Sequence, residues 1–173
     1  MDVAVLVPRR SDKGPRDVLW NYTRPYWEDL GFEIFEGDHT DNGPFNRSAA
    51  LNTASDLAGD WEYAILLDSD VLVNLDTVRR AIEYSSRTGR IVHPFRVWKG
   101  LDQHHTNLVM QGFKGSWEGG VKLSYWTNIS ACVVVPRSVW DTVGGFDERF
   151  VGWGWEDSAF MWASDCLVGN HLR

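Results

Sequence analysis

With 173 residues the chain is about one domain long, and it can bury roughly 70% of its unfolded surface in a single core without disulfide or metal staples. Its net charge of −7, with no basic cluster larger than a pair, argues against sequence-independent binding to a nucleic-acid backbone. The two cysteines lack zinc-type spacing, and no stretch resembles a signal peptide or a membrane span, so we expect a cytoplasmic protein.

The first half of the sequence predicts strands that alternate with helices. Apolar and β-branched runs predict strands at residues 2–8, 32–37, 63–68 and 91–95. Helical periodicity predicts helices at 15–30, with a kink at Pro25, at 45–58, and at 77–87, the last capped by Asn74 or Asp76. This β-α-β-α-β-α-β order implies an α/β fold with a mainly parallel sheet and helices on both sides.

The second half predicts one long irregular segment followed by a strand and two helices. From Arg96 to Leu123 the periodicity lapses, and a loop of this length inside a compact domain is usually functional or mobile. A strand is predicted at 129–136, and helices are predicted at 137–143 and 158–166. Because no repeat, linker or low-complexity segment interrupts this order, we expect a single domain over residues 1–173.

An acidic pair ends the third predicted strand, in the stretch YAILLDSDVLV. Asp68 and Asp70 would be costly to bury side by side without a positive partner. Ligands of open parallel sheets bind beyond the carboxyl ends of the strands, where this pair lies. Two carboxylates at such a position can hold Mg²⁺ or Mn²⁺ together with a diphosphate. We therefore predict a divalent cation here, although a solvated turn would also account for D-x-D alone.

A second acidic pair follows a glycine-rich segment, GGFDERFVGWGWED. Gly152 and Gly154 let the backbone pass close to a ligand, and Glu156 and Asp157 come where a helix is predicted to begin. One of these carboxylates could take a proton from an acceptor hydroxyl. The alternative is structural, because acidic residues in a first helical turn stabilise the helix dipole.

Taken together, these segments resemble a known enzyme family. They are VLVPRR, PFNRSAALNTA, LLDSDVLV and VGGFDERFVGWGWEDSAF, and they extend over most of the chain. They are similar to segments of the GT-A-fold glycosyltransferases that use nucleotide sugars. The last one resembles the C-terminal region shared by the β-1,4-galactosyltransferases and the polypeptide N-acetylgalactosaminyltransferases. The resemblance implies a minimal, Rossmann-like GT-A domain.

The resemblance also implies roles for individual residues. Glu156 and Asp157 match the acidic pair of a W-G-G-E-D pattern in which the aspartate is the base. Asp68 and Asp70 would bind the metal, and His171, in a tail that resembles a VGH motif, would be its third ligand. The nucleotide and the donor sugar would contact Pro8, Arg9, Arg10, Asp38, Arg47, Asn52, Asp68, Ser69, Trp153 and Gly154.

Two features of the sequence leave the acceptor and the stereochemical outcome open. Trp155 replaces a glycine of the pattern, so the acceptor cannot be carried over from the family. The acidic pair resembles that of inverting enzymes, whereas the tail resembles that of retaining ones, so the stereochemical outcome stays open. The segment 97–122 is predicted to close over the bound donor. Together with Trp117, Trp126 and Trp153, it is predicted to recognise the acceptor.

We therefore expect an enzyme that transfers a hexose or an N-acetylhexosamine from a UDP-sugar to an acceptor hydroxyl and requires Mn²⁺ or Mg²⁺. The sequence predicts neither the acceptor nor the oligomeric state. One alternative is a non-catalytic module that binds a UDP-sugar or a carbohydrate. Another is a nucleotidyltransferase, which is disfavoured because no glycine-rich, lysine-bearing phosphate loop follows the first strand.

Overall fold

The computed structural model describes residues 1–39, 43–126, 128–152 and 154–173. They form two compact units, which are residues 1–94 with 129–173, called here the sheet unit, and residues 95–128, called the hairpin unit. That the two units act as one catalytic domain stays a prediction. Within the described ranges, every helix is too short or too polar to cross a membrane.

Six strands and six α-helices make up the regular structure of the described residues. The strands are β1 (Val3–Pro8), β2 (Glu33–Gly37), β3 (Tyr63–Leu67), β4 (Trp98–Leu101), β5 (Val121–Tyr125) and β6 (Cys132–Pro136). The helices are α1 (Pro15–Glu28), α2 (Arg47–Ala58), α3 (Leu75–Thr88), α4 (Gln103–Met110), α5 (Arg137–Val143) and α6 (Glu156–Leu167). A 3₁₀ turn at Glu118–Gly120 precedes β5.

Four strands of the sheet unit form one mixed sheet in the order β2-β1-β3-β6. β1 is parallel to both of its neighbours, with Val5 opposite Ile34 and Ile65. β6 is antiparallel to β3, with Val134 opposite Ile65. Every residue of β1 and β6 is buried, as expected for β-branched runs that are covered on both faces. The predicted α/β fold with a mainly parallel sheet is confirmed.

The hydrophobic core holds α6 against the rest of the sheet unit. Phe160 of α6 stacks on Phe146, with the ring centroids 4.3 Å apart. Both rings also contact Trp140 of α5, at 5.7 and 5.8 Å. The same buried cluster includes Leu6 of β1 and Leu66 of β3. Close packing of this kind fixes the start of α6 relative to the sheet.

Polar side chains and glycine define the helix ends. Asn74, one of the two predicted caps, accepts two backbone N–H bonds at the start of α3, and Gly89 ends that helix with φ of +66°. Asn46 caps α2 by accepting a bond from the backbone N–H of Ala49. Arg47 is therefore the first residue of α2, two residues later than the predicted start of that helix.

The predicted strand at residues 91–95 is wrong. Val92 forms isolated bridges, one of them to Val134 of β6, and the ladder does not extend into a strand. Pro94 explains why, because it has no N–H to donate to a neighbouring strand. An apolar, β-branched run alone therefore does not make a strand here.

The predicted irregular loop from 96 to 123 is also wrong, because the hairpin unit has regular structure. β4 and β5 pair antiparallel, and the ring of Trp98 lies 5.7 Å from that of Tyr125. α4 lies between these strands in sequence, and Asp102 caps it by accepting a bond from the N–H of His105 at 2.8 Å. The His105 ring occupies the space where a Cβ on Gly120 would lie, so a glycine is required there.

Candidate functional site

An arginine at the start of α2 joins the two predicted acidic pairs. Its guanidinium donates to Asp68, with Nη2 2.8 Å and Nε 3.2 Å from Oδ1. Nη1 donates to Oδ1 of Asp157 at 2.5 Å and lies 3.7 Å from Oε1 of Glu156. We call Arg47, Asp68, Glu156 and Asp157 the Arg47 centre. The positive partner that the acidic pair after β3 requires is thus, at least for Asp68, a protein side chain.

The backbone fixes Asp68 where β3 ends. The N–H of Asp68 donates to the carbonyl oxygen of Ala131 at 2.9 Å. Ala131 precedes β6 and has φ of +70°, a conformation that a non-glycine residue adopts only when its surroundings impose it. The end of β3 and the start of β6 are therefore tied together at the point where the Asp68 carboxylate leaves the sheet.

Burial and an excess of negative charge govern ionisation in the Arg47 centre. Burial alone would lower the pKa of Arg47, but the charges of Asp68 and Asp157 outweigh it and raise that pKa. Burial also raises the pKa of Asp157 to about 7, with Arg47 opposing the rise and the two neighbouring carboxylates adding to it. Asp157 therefore exchanges protons near neutral pH, as catalytic carboxyl groups often do.

Apolar side chains account for the burial of Asp157. A small cavity lies beside the Arg47–Asp157 pair, and its other walls are Leu66, Ile129, Val133, Phe146, Phe160 and Met161. Such walls offer no hydrogen bond to a carboxylate, so they disfavour its ionised form. The packing that fixes α6 thus also sets the proton affinity of the carboxyl group at its start.

Asp70 differs from Asp68 and Asp157 because it has no ion pair among the described residues. Its side chain is exposed. Even so, the surrounding protein displaces enough water to raise its pKa, and the charge of Asp68 raises that pKa further, while Arg16 lowers it. An unpaired carboxylate close to a second one is a position that a bound cation would stabilise.

The donor set at the end of β3 fits a divalent cation that shares its ligands with a substrate. The described residues contain no group of three or more His, Cys, Asp or Glu side chains placed to hold a metal ion. Asp68 and Asp70 offer carboxylate oxygens, and Mg²⁺ is commonly held by one or two carboxylates together with waters and substrate phosphates. The pair suits such an ion when a diphosphate supplies further oxygens.

His171, the predicted third metal ligand, contacts one residue of α6 and one residue that follows α3. Its Nδ1 lies 2.9 Å from Oδ2 of Asp165, and its ring centroid is 5.2 Å from that of His93. His93 itself is buried, with 2% of its surface exposed. The role of His171 as a metal ligand stays a prediction.

The predicted nucleotide residues Arg9 and Arg10 lie just after β1 and are both ion-paired. Arg9 contacts Asp17 at 2.5 Å and Glu36 at 2.6 Å. The Nε of Arg10 donates to both carboxylate oxygens of Asp38, at 3.0 and 3.1 Å. The fold therefore brings Arg10 and Asp38 together beyond β1 and β2, and their common role toward the nucleotide stays a prediction.

Asn52, predicted for the same pocket, holds the glycine-rich segment, and its role toward the nucleotide stays a prediction. Its Nδ2 donates to the carbonyl oxygen of Phe146 at 2.9 Å and to Oε1 of Glu148 at 2.8 Å. Its Oδ1 accepts the N–H of Phe146 at 2.9 Å. The same oxygen would lie 2.9 Å from a Cβ on Gly145, which also has φ of +75°, so only glycine fits that position.

The remaining predicted site residues lie in different segments of the chain. Pro8 is the last residue of β1. Ser69 lies between the two aspartates after β3, and its carbonyl oxygen accepts a bond from Oγ1 of Thr23. Gly154 has φ of +109°, close to the start of α6. Trp153 lies outside the described residues.

The role of Arg47 as a shared counter-ion of both acidic pairs is not evident from the sequence pattern. One signal points to it: a positive charge in the first turn of a helix is unfavourable with the helix dipole. An arginine at the start of α2 therefore implies acidic partners, although it does not say which ones.

Comparison with known proteins supports the family resemblance. A family model described as the N-terminal domain of galactosyltransferase matches residues 113–162. Two solved structures of Drosophila β1,4-galactosyltransferase 7 are similar to this chain. One, a mutant in complex with manganese, UDP-Gal and xylobiose, has a TM-score of 0.62 and 18% identity. The other, a catalytic domain in complex with xylobiose, has a TM-score of 0.63 and 20% identity.

Each match covers 98% of this chain and 63% of the solved chain, so this chain spans less than two thirds of the length of either solved chain. No curated protein sequence matches. The structural matches confirm the predicted GT-A-like fold, and with the family model they confirm the resemblance to the galactosyltransferases.

Proposed function

We propose that this chain, whose fold is that of the galactosyltransferases, is a metal-dependent glycosyltransferase that moves a hexose or an N-acetylhexosamine from a UDP-sugar to an acceptor hydroxyl. The Arg47 centre carries the proposal, because one guanidinium joins the acidic end of β3 to the acidic start of α6. The residues proposed to act on the diphosphate therefore lie next to those proposed to act on the acceptor. The manganese, UDP-Gal and xylobiose bound to one similar structure support this donor, metal and acceptor chemistry.

Asp157 is the proposed general base. Its pKa of about 7 makes it ionised at slightly alkaline pH and still basic enough to hold a proton, which is the balance that base catalysis needs. Arg47 engages Oδ1 and so orients the carboxylate, which leaves Oδ2 to face the acceptor. The acceptor hydroxyl gives its proton to Asp157 as its oxygen bonds to the anomeric carbon and the bond from that carbon to UDP breaks. Attack from the face opposite the departing UDP would invert the anomeric centre.

Asp68 and Asp70 are the proposed metal ligands. A bound Mn²⁺ or Mg²⁺ would supply positive charge for the diphosphate of the departing UDP. Asp68 directs Oδ1 toward Arg47, so its other carboxylate oxygen is the one proposed to face the metal. Before the donor binds, the positive charge of Arg47 neutralises part of the negative charge of the centre. Arg10 and Asp38 are proposed to contact the uridine beyond β1 and β2.

One observation favours a second candidate function, a non-catalytic module that binds a UDP-sugar or a carbohydrate. Arg47 already pairs with Asp68 and Asp157, so both carboxylates have a charge partner within the protein. A centre that is balanced in this way could bind a ligand without turning it over. The unpaired Asp70 and the raised pKa of Asp157 favour the enzyme over this module.

A donor screen separates these functions. We expect the wild-type protein to release UDP from at least one UDP-sugar with Mn²⁺ and to lose this activity in a chelator. UDP binding without UDP release, across a broad panel of donors and acceptors, would favour the binding module. Release of pyrophosphate from nucleoside triphosphates would instead indicate a nucleotidyltransferase.

A further inference from the structure

Three side chains of α1 hold the backbone of the segment that carries Asp70. They donate to alternate carbonyl oxygens of that segment: Thr23 Oγ1 to Ser69 at 2.6 Å, Trp27 Nε1 to Val71 at 2.9 Å and Tyr26 Oη to Val73 at 2.8 Å. We call these side chains the α1 donors. Their spacing of three and four residues places them on one face of α1.

The α1 donors supply hydrogen bonds to a segment that has no regular secondary structure. No helix or strand lies between the end of β3 at Leu67 and the start of α3 at Leu75. Within the turn, the N–H of Val71 reaches the carbonyl oxygen of Asp68 at a long 3.3 Å. Buried polar groups are normally satisfied by hydrogen bonds, and Thr23 and Trp27, at 3% and 0% exposed, use theirs on this backbone.

Asp70 is the residue for which this support matters. Only Ser69 separates Asp68 from Asp70 along the chain, so their two negative charges repel each other, and no cation pairs with Asp70 among the described residues. A free segment would relieve this repulsion by turning Asp70 away. The bond from Thr23 to Ser69 opposes that movement, because Ser69 lies between the two aspartates. The fold thus holds two like charges near each other, and a bound cation would stabilise this arrangement.

We propose that Thr23 is a positioning residue that sets the spacing of Asp68 and Asp70 for a divalent cation. This role rests on the proposed metal-dependent function. Groups that orient metal ligands commonly change metal affinity about 10- to 100-fold when they are removed. Tyr26 is a matched control, because it makes the same kind of bond from the same helix to a carbonyl further from the aspartates.

The test is calorimetric titration of Mn²⁺ in the presence of UDP, with thermal unfolding in a chelator measured on the same proteins. Thr23→Val keeps the side-chain shape and removes the donor, so we expect Mn²⁺ affinity to fall about 10-fold or more. Thr23→Ser keeps a hydroxyl and should restore the affinity. The melting temperature of Tyr26→Phe should differ from that of the wild type by about as much as the melting temperature of Thr23→Val does. The Mn²⁺ affinity of Tyr26→Phe should nevertheless equal that of the wild type.

Wild-type Mn²⁺ affinity in Thr23→Val, or equal losses in Thr23→Val and Tyr26→Phe, would overturn the positioning role and leave the proposed function standing. Failure of the wild-type protein to bind Mn²⁺ in the presence of UDP would overturn the proposed metal dependence, and the positioning role with it.

Discussion

The replacement Arg47→Met leaves three carboxylates without the cation that they share. The side chains of Arg47, Asp157 and Glu156 are 16%, 21% and 6% exposed, so water replaces little of the lost interaction there. Removing one partner of a buried ion pair costs about 3–5 kcal/mol. Asp68 is 31% exposed and regains some hydration, so we expect a loss near the lower end, about 3 kcal/mol in the free energy of unfolding at pH 8.

This loss should depend on pH, with a sign that follows from the pKa of Asp157. That pKa is already raised to about 7, and it should rise further without Arg47, which opposes the rise. A carboxyl group with a raised pKa in the folded state destabilises the fold most above that pKa, and the penalty disappears as the pH falls toward the unfolded pKa of about 4. The difference between Arg47→Met and the wild type should therefore be smaller at pH 5 than at pH 8.

Urea unfolding of the wild type and the variants at both pH values measures this effect. Arg47→Lys, which keeps one positive charge, should lose less stability than Arg47→Met. Arg24→Met is the matched control, because Arg24 also pairs with two carboxylates but its side chain is 45% exposed, so we expect a loss below about 1 kcal/mol. A loss in Arg47→Met no larger than that of the control, or equal at pH 5 and pH 8, would refute the role of Arg47 as the counter-ion of the centre.

Three further predictions concern the base, the metal site and the glycine-rich segment. Asp157→Asn should slow sugar transfer by about 10²- to 10⁴-fold without changing UDP affinity. The wild-type rate should fall as the pH drops below about 7, because protonation removes the base; a rate profile without this acid limb would contradict the assignment. Asp70→Asn should weaken Mn²⁺ binding but not the fold in a chelator, since it removes a repelled charge; unchanged Mn²⁺ affinity in calorimetry would exclude Asp70 as a ligand. Gly145→Ala should lower the melting temperature more than Gly31→Ala does, although φ is positive at both sites, because an added Cβ meets Asn52 Oδ1 at 2.9 Å only at position 145; equal melting temperatures would show that this contact does not matter.

The acidic residues of the centre could be predicted because their signals are local. Asp68 follows a buried strand, and Glu156 and Asp157 begin a helix, so short stretches of sequence suffice to place them. The role of Arg47 could not be predicted in the same way. Its partners lie 21 and 110 residues away, and no pattern along the chain says which side chains a guanidinium will reach.

The errors in the predicted secondary structure have a related cause. α4 has no buried residue, and all but the first residue of β5 are exposed, so these elements show no apolar periodicity for a sequence pattern to detect. At residues 91–95 the opposite holds, because a β-branched run suggests a strand whose ladder Pro94 cannot continue. Periodicity reports burial in a common core, and it fails where an element is stabilised by other contacts.

The separation of Arg47 from Asp157 along the chain has a consequence for the order of folding. Asn52 and Phe146, which fasten the neighbouring segment, are 94 residues apart, so the C-terminal half must dock before this region is complete. During translation, β1, α2 and β3 emerge well before α6, and Arg47 can meet Asp68 long before Asp157 exists. We therefore expect the Arg47 centre to be completed only when α6 packs onto the nascent sheet unit, because Glu156 and Asp157 lie at the start of that helix.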